Sequence, residues 1–316
     1  MERIALVLGA TGGIGGAVAR RLLDAGWTVR ALVRAESAAR LPARLIPFIG
    51  DALNGETVAH AAQGAQLIVH AVNPPGYRDW DRLVLPMLDN TIAAARANAA
   101  CVLLPGTVYN YGPDAFPLID ETAPQRPSTR KGAIRVEMER RLRLAAQTGD
   151  MRVLIVRAGD FFGPDAANNW FAQGLVKPGA RPGIIRNPGR GGTGHQWAYL
   201  PDVAETMVRL VERDTLQSFE TYHMDGHWDA TGRAMIDMIV KVLGQPRVRV
   251  AALPWWLIRV AALFAVTPRE MMEMRYLWQK PVRLNNARLV ATLGAEPHTP
   301  LDQAVHTTLT AMRCLP

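Results

Sequence analysis

The chain is 316 residues long, 49% hydrophobic and 20% charged, and its 36 Lys and Arg against 28 Asp and Glu give a formal net charge of +8. That length is enough to bury a large core. The basic residues are interspersed with acidic ones and form no run with interleaved aromatics, which argues against a nucleic-acid-binding stripe. Two cysteines, Cys101 and Cys314, are too few for a disulfide framework and fit a reducing cytoplasm.

Arg3 to Leu8 reads as an apolar strand that Met1-Glu2-Arg3 enters directly, with no signal peptide before it. The loop Gly9-Ala10-Thr11-Gly12-Gly13-Ile14-Gly15-Gly16 follows. Gly9, Gly12 and Gly15 recur at every third residue, which allows a sharp turn, a close approach of backbone to ligand and tight helix packing. Ile14 to Ala25 carries Val18, Leu22 and Leu23 at helical spacing, Gly26 ends the helix, and Thr28 to Val33 reads as a second strand. Amides at the start of such a helix face an anion, so this register points to the pyrophosphate of a dinucleotide. Arg34 stands where the second strand ends. A carboxylate there suits ribose hydroxyls, whereas a guanidinium suits a ribose phosphate. The expected cofactor is NADP(H), with NAD(H) as the alternative because Glu36 could turn inward.

A strand near Arg44 to Phe48, a helix from Gly55 to Ala62 and a strand from Gln66 to His70 come next. A long helix from about Asp79 to Asn98 follows, which Pro86 should kink or break. The strand Cys101 to Leu104 then enters a loop of about twenty-five residues rich in proline and turn formers. A basic helix from Lys131 to Gln147 and a strand from Arg152 to Val156 complete six parallel strands. From Arg157 glycine and proline become frequent, and six of the eight tryptophans fall from Trp170 onward. Open parallel sheets take ligands at the carboxyl ends of their strands, so these later segments should cover that edge and select a small-molecule substrate. Ala251 to Val266, the longest apolar stretch, contains Pro254 and Arg259 and is too short for an integral membrane segment. It reads as a core or pocket-lining helix, with peripheral membrane contact through Trp255-Trp256 as the alternative.

Several segments in order resemble the extended and atypical short-chain dehydrogenase/reductases, the NAD-dependent epimerase/dehydratase-like branch. The glycine loop Gly9 to Gly15 looks like the family's own. Gly50-Asp51-Ala52-Leu53 is similar to its adenine-contacting segment, and His70-Ala71-Val72-Asn73 to the backbone that runs beside the cofactor. Arg157-Ala158-Gly159-Asp160-Phe161-Phe162-Gly163-Pro164 resembles the stretch flanking nicotinamide and substrate. His195 to Ala204 resembles the element that re-enters the core domain. The resemblance implies cofactor contacts at Gly9, Thr11, Gly12, Gly13, Ile14, Gly15, Arg34, Asp51, Ala52, Leu53, Ala71, Val72, Asn73 and Gly159.

The family's chemistry uses a Ser or Thr after the fifth strand and a Tyr-x-x-x-Lys on the next helix. Here Gly106-Thr107-Val108-Tyr109-Asn110-Tyr111-Gly112 matches the first element, with Thr107 as the hydroxyl. The second is altered: aligning Glu139 with the glutamate that commonly follows the motif puts Lys131 at the tyrosine position and Arg135 at the lysine position. If chemistry survives, Arg135 holds the cofactor ribose and Lys131, Tyr109 or Tyr111 supplies the proton. Lys131 would be tuned by the like charge of Arg135 one turn away. Otherwise Lys131 and Arg135 are solvated residues of a basic helix, and the protein is a non-catalytic NADP(H)-binding redox sensor. A nucleotide-sugar epimerase or dehydratase is the third reading; there the resemblance implies an arginine where this chain has His195, with Arg186 or Arg190 as substitutes. His223 and His227 lie four apart with Asp225 and Asp229, but Glu220 to Met224 reads as a strand, which would not hold helical ligand spacing, so a metal is not expected.

The expected fold is α/β, a doubly wound parallel Rossmann sheet completed by the Gln196 to Leu200 region, with a smaller mixed α/β C-terminal substrate lobe. Residues 1–160, with 195–215 returning, would form the dinucleotide domain, and 161–194 with 216–316 the lobe. The leading functional expectation is an NADP(H)-dependent oxidoreductase acting on a carbonyl, hydroxyl or activated double bond of a mainly apolar molecule. A homodimer is compatible with the sequence.

Overall fold

The structure, a computed structural model, describes residues 2–74, 79–166, 169–213, 215–244 and 248–315. The first half alternates strand and helix: β1 (Ile4–Leu8), α1 (Gly13–Asp24), β2 (Thr28–Val33), β3 (Ile46–Ile49), α2 (Gly55–Ala61), β4 (Leu67–His70), α3 (Trp80–Ala97) and β5 (Cys101–Gly106). A short strand, β6 (Leu118–Ile119), lies within the long loop, before α4 (Arg130–Ala146) and β7 (Arg152–Arg157). Next come β8 (Asp160–Phe162), β9 (Ile184–Asn187), β10 (His195–Tyr199), α5 (Leu200–Val211), β11 (Phe219–His223) and β12 (His227–Asp229). The chain ends with α6 (Ala234–Leu243), β13 (Arg249–Ala252), α7 (Trp255–Ala261), α8 (Val266–Glu273), β14 (Arg283–Leu284), α9 (Ala287–Leu293) and α10 (Leu301–Ala311).

Seven strands form one parallel sheet in the order β11-β7-β5-β4-β1-β2-β3. Helical crossovers bury both of its faces, which is why its central strands read as continuous apolar runs. In β1, Ala5 and Val7 pack with Val18 and Leu22 of α1 and Val203 and Met207 of α5. Leu6 and Leu8 face the other way, onto Val58 of α2, Leu88 of α3 and Leu142 of α4. This is the doubly wound α/β sheet expected. α3 runs through Pro86 without a break, although the ring removes one donor and crowds the preceding turn.

The strand that completes the sheet is not the expected one. β11 pairs in parallel with β7, from Phe219 opposite Val153 to His223 opposite Arg157. The Gln196 region instead forms β10 in a separate sheet, parallel to β8 and antiparallel to β12. The sequence shows this segment as a strand but not its place beside β7; within it Glu220 accepts from Tyr222 Oη at 3.2 Å and from Arg213 at 3.3 Å, so a charged residue sits satisfied inside the strand. Residues 219–223 therefore pair within the main sheet and not within the lobe expected to span 216–316. α5 does return to pack on α1, through Leu200, Val203 and Met207.

The lobe has its own core of Phe162, Phe171, Trp197, Ile236, Trp278 and Val305. It is mixed: β8, β10 and β12 form one sheet, β9 pairs β13, and β6 pairs β14. Ala251 to Val266 is not a core helix. Its α7 has no buried residue.

Candidate cofactor and active site

β1 ends at Leu8, and Gly9 takes φ +91°, a left-handed turn that a side chain would resist. Gly12 then caps α1 with no side-chain hydrogen bond and with no acid in the first turn, which leaves the positive end of the helix for an anion. A methyl group at Gly15 would collide with the Gly9 carbonyl oxygen. Gly15 thus serves the packing of loop on helix and does not line the cleft above it.

That cleft, about 690 Å³, opens over the carboxyl ends of β1, β2, β4 and β5. Its middle is walled by Gly9, Thr11, Gly12, Gly13 and Ile14 on one side and Ala71, Val72 and Asn73 on the other. One end is bounded by Arg34 with Asp51, Ala52 and Leu53. Two residues overlooked in the sequence join them: Ser37, which is buried, and Arg40, whose guanidinium donates to Ser37 Oγ at 2.8 Å. The signal was present, since 34, 37 and 40 repeat at the period of the 3-10 helix that spans Ala35–Arg40. Arg34 Nε lies 3.2 Å from Glu36, which is exposed and outside the cleft wall.

The opposite end gathers Thr107, Tyr109, Lys131 and Arg135 against Asp160, Phe161, Trp170, Glu270, Met271 and Met274. Thr107 caps a short 3-10 turn after β5: its Oγ1 accepts from the Tyr109 amide at 3.3 Å and donates to Asn110 Oδ1 at 3.4 Å. Beneath it lies a buried polar network. Glu139 accepts from Asn110 at 2.9 Å, Gln125 at 2.7 Å and Arg157 at 2.9 Å, and Arg157 donates to the Thr107 carbonyl at 2.5 Å.

Lys131 and Arg135 are not solvated, with 3% and 7% of their surface exposed. Arg135 reaches Asn73 Oδ1 at 3.5 Å and stands over the Trp80 ring at 5.2 Å. The charges around Lys131 differ from those expected. Its ammonium lies 2.6 Å from Glu270 Oε2 and 3.7 Å from Glu273, and donates to the Glu270 carbonyl at 3.1 Å. Two carboxylates that the spacing on α4 does not announce are its near neighbours.

Tyr111 and Gly159 do not line the cleft. The Tyr111 ring is buried edge-on to His223, and burial raises its phenol above the ordinary value. Gly159 packs on β10, where a side chain would strike the Gln196 carbonyl. His195 is also outside: it bonds Asp160 at 2.9 Å and stacks on Trp278 at 3.8 Å and 9°. At the end of β4, His70 Nδ1 donates to Thr91, whose hydroxyl donates to the Met87 carbonyl. Burial, reinforced by Arg135, pushes His70 down to about 3. No group of three or more His, Cys, Asp or Glu among the described residues is arranged to hold a metal.

The family model for the NAD-dependent epimerase/dehydratase family matches residues 5–224. The chain belongs to that family. No curated protein matches it closely enough to lend a specific activity. Among solved structures, it is similar to a putative epimerase from Burkholderia cenocepacia J2315, at 21% identity over 98% of both chains with a TM-score of 0.76. It is similar, too, to the UDP-glucose 4-epimerase of Thermus thermophilus in complex with NAD, at 19% identity over 98% of this chain and 99% of the other with a TM-score of 0.74. The Thermotoga maritima UDP-glucose 4-epimerase with UDP-glucose gives 15% identity over 98% of each chain and a TM-score of 0.76. At such identities the likeness establishes a common fold, and the family's nucleotide-binding sheet is the one described above.

Proposed function

We propose that the protein is an NADP(H)-dependent oxidoreductase acting on a carbonyl, hydroxyl or activated double bond of a mainly apolar small molecule. The observation that carries this reading is one continuous cleft. It runs from Arg34, Ser37 and Arg40, past the uncapped start of α1, to Thr107 and Tyr109. The residues fit the cofactor: the α1 amides suit a pyrophosphate, and two guanidinium groups with a hydroxyl suit a ribose phosphate. Glu36 does not line the cleft, so it is not placed to take bare ribose hydroxyls there.

When bound, NADP(H) gives or takes the hydride. The chain's own residues would do the rest. Arg135 and Asn73 would hold the nicotinamide ribose, the Thr107 hydroxyl would orient the reacting oxygen, and the Tyr109 phenol would exchange its proton. Lys131 already donates to Glu270 through two contacts, so we assign it to fixing α8 across the cleft mouth. Phe161, Trp170, Met271 and Met274 would shelter the substrate from water.

The nucleotide-sugar reading rests on what the similar structures hold. In this chain the cations lining the cleft, among the described residues, are Arg34, Arg40, Lys131 and Arg135. His195 is committed to Asp160, and neither Arg186 nor Arg190 reaches the cleft wall. A cytoplasmic setting accords with two buried, unpaired thiols, Cys101 and Cys314.

The decisive experiment titrates the protein with NADPH and NADH by nicotinamide fluorescence and then adds a carbonyl and enone panel. Tighter binding of NADPH, reversed by Arg34→Asp and weakened by Arg40→Ala, with oxidation by a panel member, is the expected result. Binding without oxidation would favour a cofactor-binding regulator, and equal affinities in wild type and Arg34→Asp would sink the phosphate assignment.

A further inference from the structure

The lobe carries an apolar face used neither by its core nor by the cleft. Trp256, Leu257 and Val260 of α7 are 69%, 47% and 53% exposed, and Leu263 and Phe264 just beyond it are 73% and 85% exposed. Positions 256, 257, 260, 263 and 264 repeat at helical spacing, so they share one side. The opposite side is anchored: Trp255 Nε1 donates to the Pro188 carbonyl at 2.8 Å, and its ring packs against Trp170 and Arg275. Adjacent tryptophans thus face inward and outward, and the segment has a defined orientation.

The charges nearby are one-sided. Between residues 249 and 280 the exposed charged side chains are Arg249, Arg259, Arg269 and Lys280, all basic. Both acids of this stretch, Glu270 and Glu273, turn inward to Lys131. An outward face of Trp, Phe and Leu on a stretch whose exposed charges between residues 249 and 280 are all basic complements an anionic lipid surface. No helix among the described residues is long and apolar enough to cross a membrane, so attachment would be peripheral. The same hairpin forms part of the cleft: Thr267, Glu270 and Met271 of α8 are wall residues.

We propose that α7 and the turn into α8 dock in the interface of an anionic bilayer and that the cleft receives an apolar, membrane-dissolved substrate there. The docking stands by itself; the delivery of substrate rests on the oxidoreductase reading.

The test is flotation of the full chain with phosphatidylglycerol/phosphatidylcholine vesicles and with phosphatidylcholine vesicles, beside the triple variant Trp256→Ser, Leu263→Ser, Phe264→Ser. Wild type should float with the anionic vesicles, less so in high salt, and bind the neutral ones more weakly. The triple variant should bind at least about tenfold more weakly while keeping its Tm and NADPH affinity. Failure of wild type to float, or equal flotation of the variant, overturns the docking. A dimer that the same substitutions dissolve, without flotation, would show that a second copy covers this face and would overturn it as well. Turnover of a vesicle-borne enone that falls in the variant, with unchanged turnover of a water-soluble one, supports the delivery. Flotation with no turnover of either enone overturns the delivery and the reductase reading while the docking stands.

Discussion

Glu139 holds the Thr107 end of the cleft in place without lining it. It gathers Asn110, Gln125 and Arg157, and Arg157 fixes the carbonyl of Thr107. Removing one member of a buried ion pair strands the other, at a cost of roughly 3–5 kcal/mol. Glu139→Ala should lose about that much in urea unfolding, and Glu139→Gln should lose less. For the chemistry, Tyr109→Phe should lower kcat about a hundredfold or more with NADPH affinity intact. Lys131→Met should act mainly through KM and stability; a larger loss of kcat in Lys131→Met than in Tyr109→Phe would return the proton to Lys131. The glycine loop, Arg34 and Thr107 were legible because each belongs to a local pattern. The setting of Lys131 was not, because Glu270 and Glu273 come from a distant part of the chain and no spacing on α4 announces them. Alignment with the family motif singles out Lys131 and Arg135, but the composition of α4 does not tell their burial from the exposure of Arg130, Arg140 and Arg143.

The strands and helices of the sheet fall within a residue or two of their expected bounds, since burial on both faces writes a continuous apolar signal. The pairing of β11 and the exposure of α7 are not legible in composition. β11 hides a carboxylate that its own neighbours satisfy, whereas α7 exposes side chains that composition alone would place inside. At the junction of β1 and α1 the constraint is steric. The atom a Gly15 methyl would meet belongs to the backbone, so no rotamer change relieves it, and α1 would have to shift relative to its loop. Gly15→Ala should therefore weaken NADPH binding about tenfold or more and lower the Tm, measured by fluorescence titration and thermal melting. Unchanged binding would show that the loop can relax at little cost.

Across the whole molecule, buried histidines set the response to acid. Burial depresses His70 and His223 to about 3, helped by Arg135 and Arg157, and His227 to about 4, helped by His298. In the unfolded chain each would take a proton near 6.5. The unfolded state then binds more protons between those values, so stability falls as pH drops below about 6.5, by up to ~1.4 kcal/mol per pH unit for each ring. The urea midpoint should be flat from pH 7 to 8 and decline by pH 5.5, before most carboxylates titrate; a midpoint constant down to pH 4.5 would contradict this account. The order of the strands also matters before the protein is finished. β7 leaves the sheet with one neighbour, β5, and its other edge is met only by β11. A nascent chain that has emerged as far as Arg157 carries an unpaired strand edge while the lobe's first strands are still being made. Such an edge is a template for pairing with other chains, and it stays open until Phe219–His223 has been made and can pair with β7.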